Sequence, residues 1–484
     1  GKEVRGEGLK EILQQLECHF TWELQKEHID PDELEERIAE QIQFLINKSK
    51  VQNYNLLAYV KFLNDKNEEA LENLQKAEEA VLLEYPGDVE KGSLVTWGNC
   101  AWVHYHMGNL TESQAYLEKV ESICKQLGSE SPYKLQLPQI YCEKGWALLK
   151  FGASYYEKAK ESFEKALEEE PENPEFNLSY AITIYRLEDY YAKKSSGKSS
   201  SLEPLRRAVK LNPNDIFVTP LLALKLQDTN RVKEGKKYIE EVLGKYPDVP
   251  YVLRYAAKFY RRKGDVETSL QHLKKALSLT PNSAFLHHQI GICYRTQYFA
   301  LKKKVSKGQF QFVLKQFELL NLCIFHFQKV VERKTKFIYA YIDLANMYAE
   351  QQRLPKADET FQKVFAISNL TATEKQQLHF NYGCFQEHHR KSEVNAMKQY
   401  LAGLKIENGS FEQKKCERSL KQLLHKTVKK GLICVEMFEI LGSVSERLGL
   451  KKETIEAYQI ALKMDPGNEE YLSTVMNVKL SLKN

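Results

Sequence analysis

Ala257-Lys258-Phe259-Tyr260-Arg261-Arg262-Lys263-Gly264 and, downstream, Gly291-Ile292-Cys293-Tyr294-Arg295 decide how the chain folds. Ala257 and Gly291 stand 34 residues apart, and each is followed three residues later by a tyrosine. A small residue lets two helix backbones approach and the aromatic fills the remaining gap, so recurrence at this interval marks a helix-turn-helix repeat. The unit around Ala257 continues with Ser269, Leu273, Ala276 and Pro281, the small, bulky, small and proline marks of a second helix and its end. Leu344, Ala345, Tyr348, Ala357, Phe361 and Val364 repeat the pattern, as do Leu441, Gly442, Gly449, Thr454, Tyr458, Ala461 and Pro466. Weaker copies centre on Ala58, Ala101, Ala147, Ala181, Ala223 and Gly383. In the first of these Ala70, Leu74 and Ala77 keep the second-helix marks, and in the copy at Ala147 so do Ala159, Phe163, Ala166 and Pro171.

These are the marks of tetratricopeptide repeats. They predict an all-α solenoid, a superhelix of about nine to ten helix-turn-helix repeats with extra non-repeat helices, in which no unit buries its apolar face without a neighbour. Composition agrees: 43% of the 484 residues are hydrophobic and only 14 are proline, several of them at repeat ends. Three sections are expected: an N-terminal helical part with the first repeats (1–138), a central superhelix (139–331) and a C-terminal group of repeats (332–484). The nine cysteines form no C-x-x-C pair, so neither a zinc site nor a disulfide framework is expected and a reducing cytosol fits. The N-terminus has no signal-type apolar core and no stretch has the length of a membrane span, which leaves sequons such as Asn109-Leu110-Thr111 and Asn369-Leu370-Thr371 as ordinary surface or turn residues.

Seventy basic against 65 acidic side chains give a net charge of +5, too little for indiscriminate coating of nucleic acid, so any anion site must be local. Two inserts concentrate lysine: Lys193, Lys194 and Lys198 in a Ser-rich stretch, and Lys302, Lys303, Lys304 and Lys307 in a second. Both interrupt a repeat between its helices and read as solvated loops.

The first-helix positions 2, 5, 9, 12 and 13 line the inner wall of such a solenoid. Counted from the small residue at position 8, the Ala257 unit places Tyr251, Arg254, Lys258, Arg261 and Arg262 there. Its successor places Phe285, His288 and Arg295 on the wall with Gln289 beside them, and Arg186 takes position 13 of the Ala181 unit. A basic stripe interleaved with Tyr and Phe is the pattern that a phosphate backbone with stacked bases requires. The bland alternative is a solvated face whose cations pair with acids on the adjoining repeat. The planar donor fork of arginine, dominant in the densest part, weighs toward the phosphate reading.

Helical spacing groups further candidates. Arg37, Gln41 and Leu45 follow at intervals of four, as do Trp146 with Lys150 and Ile182 with Arg186. From spacing alone Trp146 is a packing residue, and Arg37 with Gln41 a solvated helix face.

Several longer strings carry a resemblance: Cys18-His19-Phe20-Thr21-Trp22, Asn55-Leu56-Leu57-Ala58-Tyr59-Val60-Lys61, Leu94-Val95-Thr96-Trp97-Gly98-Asn99, Gly145-Trp146-Ala147-Leu148-Leu149-Lys150, Ala257-Lys258-Phe259-Tyr260-Arg261-Arg262-Lys263 and Leu286-His287-His288-Gln289. Through them the chain resembles, over essentially its whole length, the interferon-induced proteins with tetratricopeptide repeats, cytosolic antiviral binders of single-stranded RNA. Members sequester RNA by its 5′ end, as a triphosphate or a cap lacking ribose 2′-O-methylation, and so block translation of foreign transcripts. The resemblance implies that Arg37, Gln41, Lys150 and Arg186 meet the 5′ phosphates. It also implies that Tyr156, Tyr251, Arg254, Arg261, Phe285, His288 and Gln289 hold the following nucleotides, beside which the stripe places Lys258. Glu33 matches a position near the phosphate end where a carboxylate could help hold Mg2+; otherwise no cofactor or protein-bound metal is expected.

For a cap, the resemblance implies an apolar slot of Trp146, Leu45 and Ile182 with Phe217 nearby. Arg37 looks like the cap-binding members, whereas Asn47 and Phe217 depart from their Thr and Tyr, and the regular final repeat is similar to the triphosphate-preferring type. The balance points to dual recognition. Tyr458 and Leu462 form a Tyr-x-x-x-Leu sequence similar to one through which some members pair with each other, and both also fall at ordinary core positions of a repeat.

Other functions fit less well. The carboxylate clamp of peptide-binding co-chaperones needs Lys and Asn where the opening repeats place Asn55 and Tyr59, then Gly98 and Trp102. A general protein-protein scaffold would use the same solenoid walls but would leave the Arg254 to Arg261 stripe unexplained. Gly197-Lys198-Ser199 lacks the leading glycine of a phosphate-binding loop, with Ala192 in its place, and no catalytic motif stands elsewhere, so a binder rather than an enzyme is expected.

Overall fold

A computed structural model describes residues 2–44, 50–192 and 200–484. Among them the chain forms twenty-five α-helices and four short 3-10 helices and no strand. The repeats are the ones the small residues announce. Ala58, Ala101, Ala147, Ala181, Ala223, Ala257 and Ala345 are all at most 2% exposed, each where a first helix meets its neighbours. The reason is steric. A Cβ added at Gly291 would come within 2.5 Å of the Phe327 ring, and at Gly383 within 2.5 Å of Tyr400, so the bulky residue of the second helix occupies the space that the first helix leaves. In the Pro138–Lys150 helix the tightest approach falls on Gly145, 2.5 Å from Phe163, beside Trp146. Helices Pro250–Lys263 and Val435–Leu448 end on Gly264 and Gly449 with φ of 94° and 66°, left-handed caps that glycine adopts without strain.

The chain divides into two compact units, Gly1–Leu279 and Thr280–Asn484. In the first, one core runs from Leu9 through Trp22, Ile38, Tyr59, Trp102 and Leu148 to Phe176, across the expected section boundary at 138. Buried polar pairs tie the N-terminal helices into it: Asn55 Nδ2 donates to Glu143 Oε2 at 2.8 Å, Thr96 Oγ1 to Asn55 Oδ1 at 3.0 Å, and the His19 amide to Asn99 Oδ1 at 3.1 Å. The other expected boundary, at 331, falls inside the Val313–Arg333 helix.

The second lysine-rich insert is not a loop. Lys302, Lys303 and Lys304 continue the Ala284–Ser306 helix, Lys307 caps it, and the partner helix Val313–Arg333 is lengthened to match. The lysines that make this stretch polar are, with Ala300 and Leu301, also good helix formers. The first insert, with Lys193, Lys194, Lys198 and the Gly197-Lys198-Ser199 string, lies outside the described residues, as do Leu45 and Asn47. Among the described residues the nine cysteines form no disulfide, and no helix is long and apolar enough to cross a membrane.

Candidate functional site

The first unit encloses a cavity of about 410 Å3. Its wall is assembled by helical periodicity: Glu143, Trp146, Ala147 and Lys150 share one face of Pro138–Lys150, and Glu175, Leu178, Ile182 and Arg186 one face of Pro174–Ala192. Gln41 from Pro31–Phe44 and Gln52, Asn53 and Leu56 from Lys50–Leu63 complete one side. The turn Asn212–Phe217 and Tyr251 complete the other. Asp215 shapes this turn by accepting from the amides of Phe217 and Val218, each at 2.8 Å, while Asn214 takes the left-handed conformation at φ 59°.

Lys150 is the most perturbed cation in this wall. It is only partly covered at its surface but set deep among protein atoms, and this burial, followed by repulsion from Arg186 and Arg37, lowers its pKa to about 7. Among the described residues no carboxylate lies within ion-pair distance of Lys150 or Arg186. Glu143 is perturbed in the opposite sense: burial raises its carboxyl to about 7, opposed by the Asn55 hydrogen bond and reinforced by Glu84 and Glu175. Cations therefore neighbour cations, and acids neighbour acids.

Trp146 is half-buried in the wall. Its indole N–H donates to Ser179 Oγ at 2.8 Å and its ring meets Phe163 edge-on at 6.1 Å, so the ring plane is held in place from behind. Ile182 is 3% exposed beside it. Phe217 and Tyr251 meet edge-on at 5.0 Å, and the Tyr251 hydroxyl donates to the Phe217 carbonyl at 3.3 Å.

Gln41, Trp146, Lys150, Ile182, Arg186, Phe217 and Tyr251 thus share one cavity. Arg37 stands outside its wall, 63% exposed at the side chain and paired with Glu33 at 2.8 Å, yet near enough to depress both Lys150 and Arg254. Tyr156 is half-buried against Tyr190, centroids 6.4 Å apart, and is not part of the wall. On the basic stripe Arg254 pairs with Glu40 of the Pro31–Phe44 helix and Arg262 with Asp228 at 3.1 Å, so there the adjoining helices do supply acids. Lys258 sits 6.0 Å from the Tyr255 ring, its pKa lowered by burial and by Arg262, while Arg261 is half-buried.

Phe285, His288 and Gln289 belong to the second unit, on the Ala284–Ser306 helix. Phe285 is 48% exposed, and His288 Nε2 meets Asp343 Oδ2 at 2.8 Å while Arg295 holds the other oxygen at 2.6 Å. Tyr458 is 6% exposed, donates to the Phe438 carbonyl at 2.8 Å and packs on Phe438 and Tyr471; Leu462 is half-buried against the same core.

Sequence reasoning missed Glu143, Glu175 and Asp215. The signal was present, since Glu175, Ile182 and Arg186 keep helical spacing, but a search for phosphate ligands discards acids.

Models described as tetratricopeptide repeat match residues 50–126, 138–173 and 221–284. The human antiviral innate immune response effector IFIT1 is 47% identical over 458 residues, covering 94% of this chain and 96% of the relative. Human interferon-induced protein with tetratricopeptide repeats 2 is 39% identical over 442 residues, 90% of this chain and 92% of that one. Among solved structures, the human IFIT1 dimer with m7Gppp-AAAA aligns at TM-score 0.77 and 47% identity, over 94% of this chain and 99% of that one. The human IFIT1 dimer with PPP-AAAA aligns at TM-score 0.74 and 46% identity, with the same coverage.

Proposed function

We propose that this chain, which belongs to the family of interferon-induced proteins with tetratricopeptide repeats, is an antiviral effector that captures single-stranded RNA by its 5′ end. Foreign transcripts held in this way, in the cytosol, are withheld from translation. The observation that carries the reading is the pairing, in one cavity, of Lys150 and Arg186 with a Trp146 ring fixed from behind. Burial first, and then repulsion from Arg186 and Arg37, lower the Lys150 pKa, and a triphosphate brought against Lys150 and Arg186, which have no carboxylate partners among the described residues, relieves that cost. Human IFIT1, solved with both triphosphate and capped oligonucleotides, supports the same use of the cavity.

The Trp146 side of the wall supports cap acceptance. A 7-methylguanine ring carries positive charge, for which Trp146 offers a stacking surface and Ile182 an apolar edge, and a cation brought beside Glu143 and Glu175 favours their ionised forms. Downstream nucleotides would follow Tyr251, Arg254, Lys258 and Arg261, with Phe285, His288, Gln289 and Tyr156 as further contacts. Arg37 would approach the phosphates once its Glu33 pair opens. Glu33 is so engaged that it makes a poor cage for Mg2+, and no group of three His, Cys, Asp or Glu among the described residues could hold an ion. A Mg2+ at this end would be carried by the triphosphate itself.

Competition among triphosphate, unmethylated-cap and methylated-cap forms of one oligonucleotide tests the reading. The first two should displace each other, and Trp146→Ala should weaken the capped form about tenfold more than the triphosphate; equal losses would remove the stacking role. Self-association through the last repeats is proposed on Leu462, since Tyr458 is committed to the core. Leu462→Glu should shift a dimer to monomer in sedimentation, and a wild type monomeric at micromolar concentration overturns this.

A further inference from the structure

The inserted hairpin of the second unit is longer than its neighbours and ends in a surface that nothing in the cavity explains. Its helices run 23 and 21 residues, against 13 and 12 in the next repeat, so its tip stands clear by roughly 13 Å at 1.5 Å per residue. There Phe310, Leu314 and Phe317 are 71%, 78% and 60% exposed, and their spacing of four and three residues sets them on one side. From Lys302 to Phe317 the sequence holds five lysines and no acid. Glu350 engages Lys302 at 2.6 Å and Glu318 approaches Lys315 at 3.6 Å, while no carboxylate among the described residues pairs with Lys303, Lys304 or Lys307. Lys304 Nζ lies 5.1 Å from the Phe312 ring centroid, so charge and ring are already interleaved.

We propose that this tip is a second, sequence-tolerant contact for single-stranded RNA, taking phosphates on Lys303, Lys304 and Lys307 and bases on Phe310 and Phe317. Exposed rings among unpaired cations are what a single strand uses, because every base offers a face to stack and every linkage a negative charge. RNA is favoured over an acidic peptide or a lipid surface for one reason, which rests on the function proposed above. A strand held by its 5′ end presents its remaining nucleotides at high local concentration, so a contact too weak to act alone still adds to capture.

Two probes separate this proposal from the cavity reading: a 5′-triphosphate single strand of about thirty nucleotides and mixed sequence, and a four-nucleotide 5′-triphosphate. The triple change Lys303→Gln, Lys304→Gln, Lys307→Gln should weaken the long strand about tenfold and lower its salt slope by about two. Phe310→Ala with Phe317→Ala should also cost about tenfold without changing the slope. The short triphosphate should bind all variants as it binds wild type. Unchanged binding of the long strand by both variants overturns the proposal, as does a loss seen only with anionic lipid vesicles. If the short triphosphate fails to bind wild type while the long strand still responds to both variants, the tip stands and the cavity reading falls.

Discussion

Lys150 and Arg186 on one side, and Arg254 and Arg262 on the other, are cations of the same unit, each on the first helix of a repeat. The structure treats them differently. The first pair shares a partly open cavity and meets no carboxylate among the described residues; the second is answered by Glu40 and Asp228 from adjoining helices. A paired cation is already solvated by its partner, so an arriving phosphate must displace that partner before it gains anything. An unpaired, buried cation raises the energy of the empty protein, and the anion recovers it. The cavity should therefore dominate affinity and the stripe should adjust it.

The largest expected effect breaks the cavity side. Arg186→Glu replaces a donor with a repelling charge and should weaken 5′-triphosphate RNA at least roughly hundredfold, with helicity and melting unchanged. Wild-type affinity should also fall as salt rises. Equal binding by wild type and variant, measured by titration, would return Arg186 to the solvated face that its sequence position alone permits.

A smaller effect sharpens the comparison through pH. Lys150, with a pKa near 7 in the empty protein, goes from mostly charged to mostly neutral between pH 6 and 8. If the charged form binds, triphosphate affinity should drop about tenfold across that interval beyond any change in the RNA itself. Lys150→Arg, always protonated, should remove the drop. The same group acts on stability. Between pH 7 and its ordinary value of 10.5 the unfolded chain holds more protons at Lys150 than the folded one, so stability rises with pH there. Glu143, raised from 4.5 to about 7, does the reverse: its contribution is full below 4.5 and is lost as pH climbs through 7. Together these two groups contribute least to the stability of the unliganded protein near neutrality, and the rise in melting on adding triphosphate should follow the affinity, shrinking from pH 6 to pH 8.

What the sequence made legible follows the same line. Small and bulky repeat positions contact each other directly, as Gly291 with Phe327 and Ala257 with its buried neighbours show, so periodicity alone exposed the fold. Regular spacing on two helices groups Trp146 with Lys150 and Ile182 with Arg186, but from spacing alone Trp146 is a packing residue, and its place in a site comes from the family resemblance. Pairing was not legible. Glu40 lies 214 residues from Arg254 in the chain, and no local pattern announces that one neutralises the other. Glu143 stayed hidden because a buried acid runs against the charge expected of an anion site. Charge alone reads the lysines at 302–307 as a loop, although their Leu and Ala neighbours favour helix, and the length of the hairpin follows only from both helices extending together.

The smallest effect tests the stripe itself. Glu40→Gln removes the acid from Arg254 with little change in volume and leaves the cavity wall intact. If Arg254 reaches the RNA chain, this change should raise affinity roughly threefold, because the phosphate no longer competes with the Glu40 carboxylate. The gain should shrink for an RNA of one or two nucleotides, which ends before the stripe. If affinity stays level or falls while melting drops, Arg254 serves to fasten the Pro31–Phe44 helix against Pro250–Lys263. Its effect on RNA would then run through the position of Gln41, which that helix carries into the cavity.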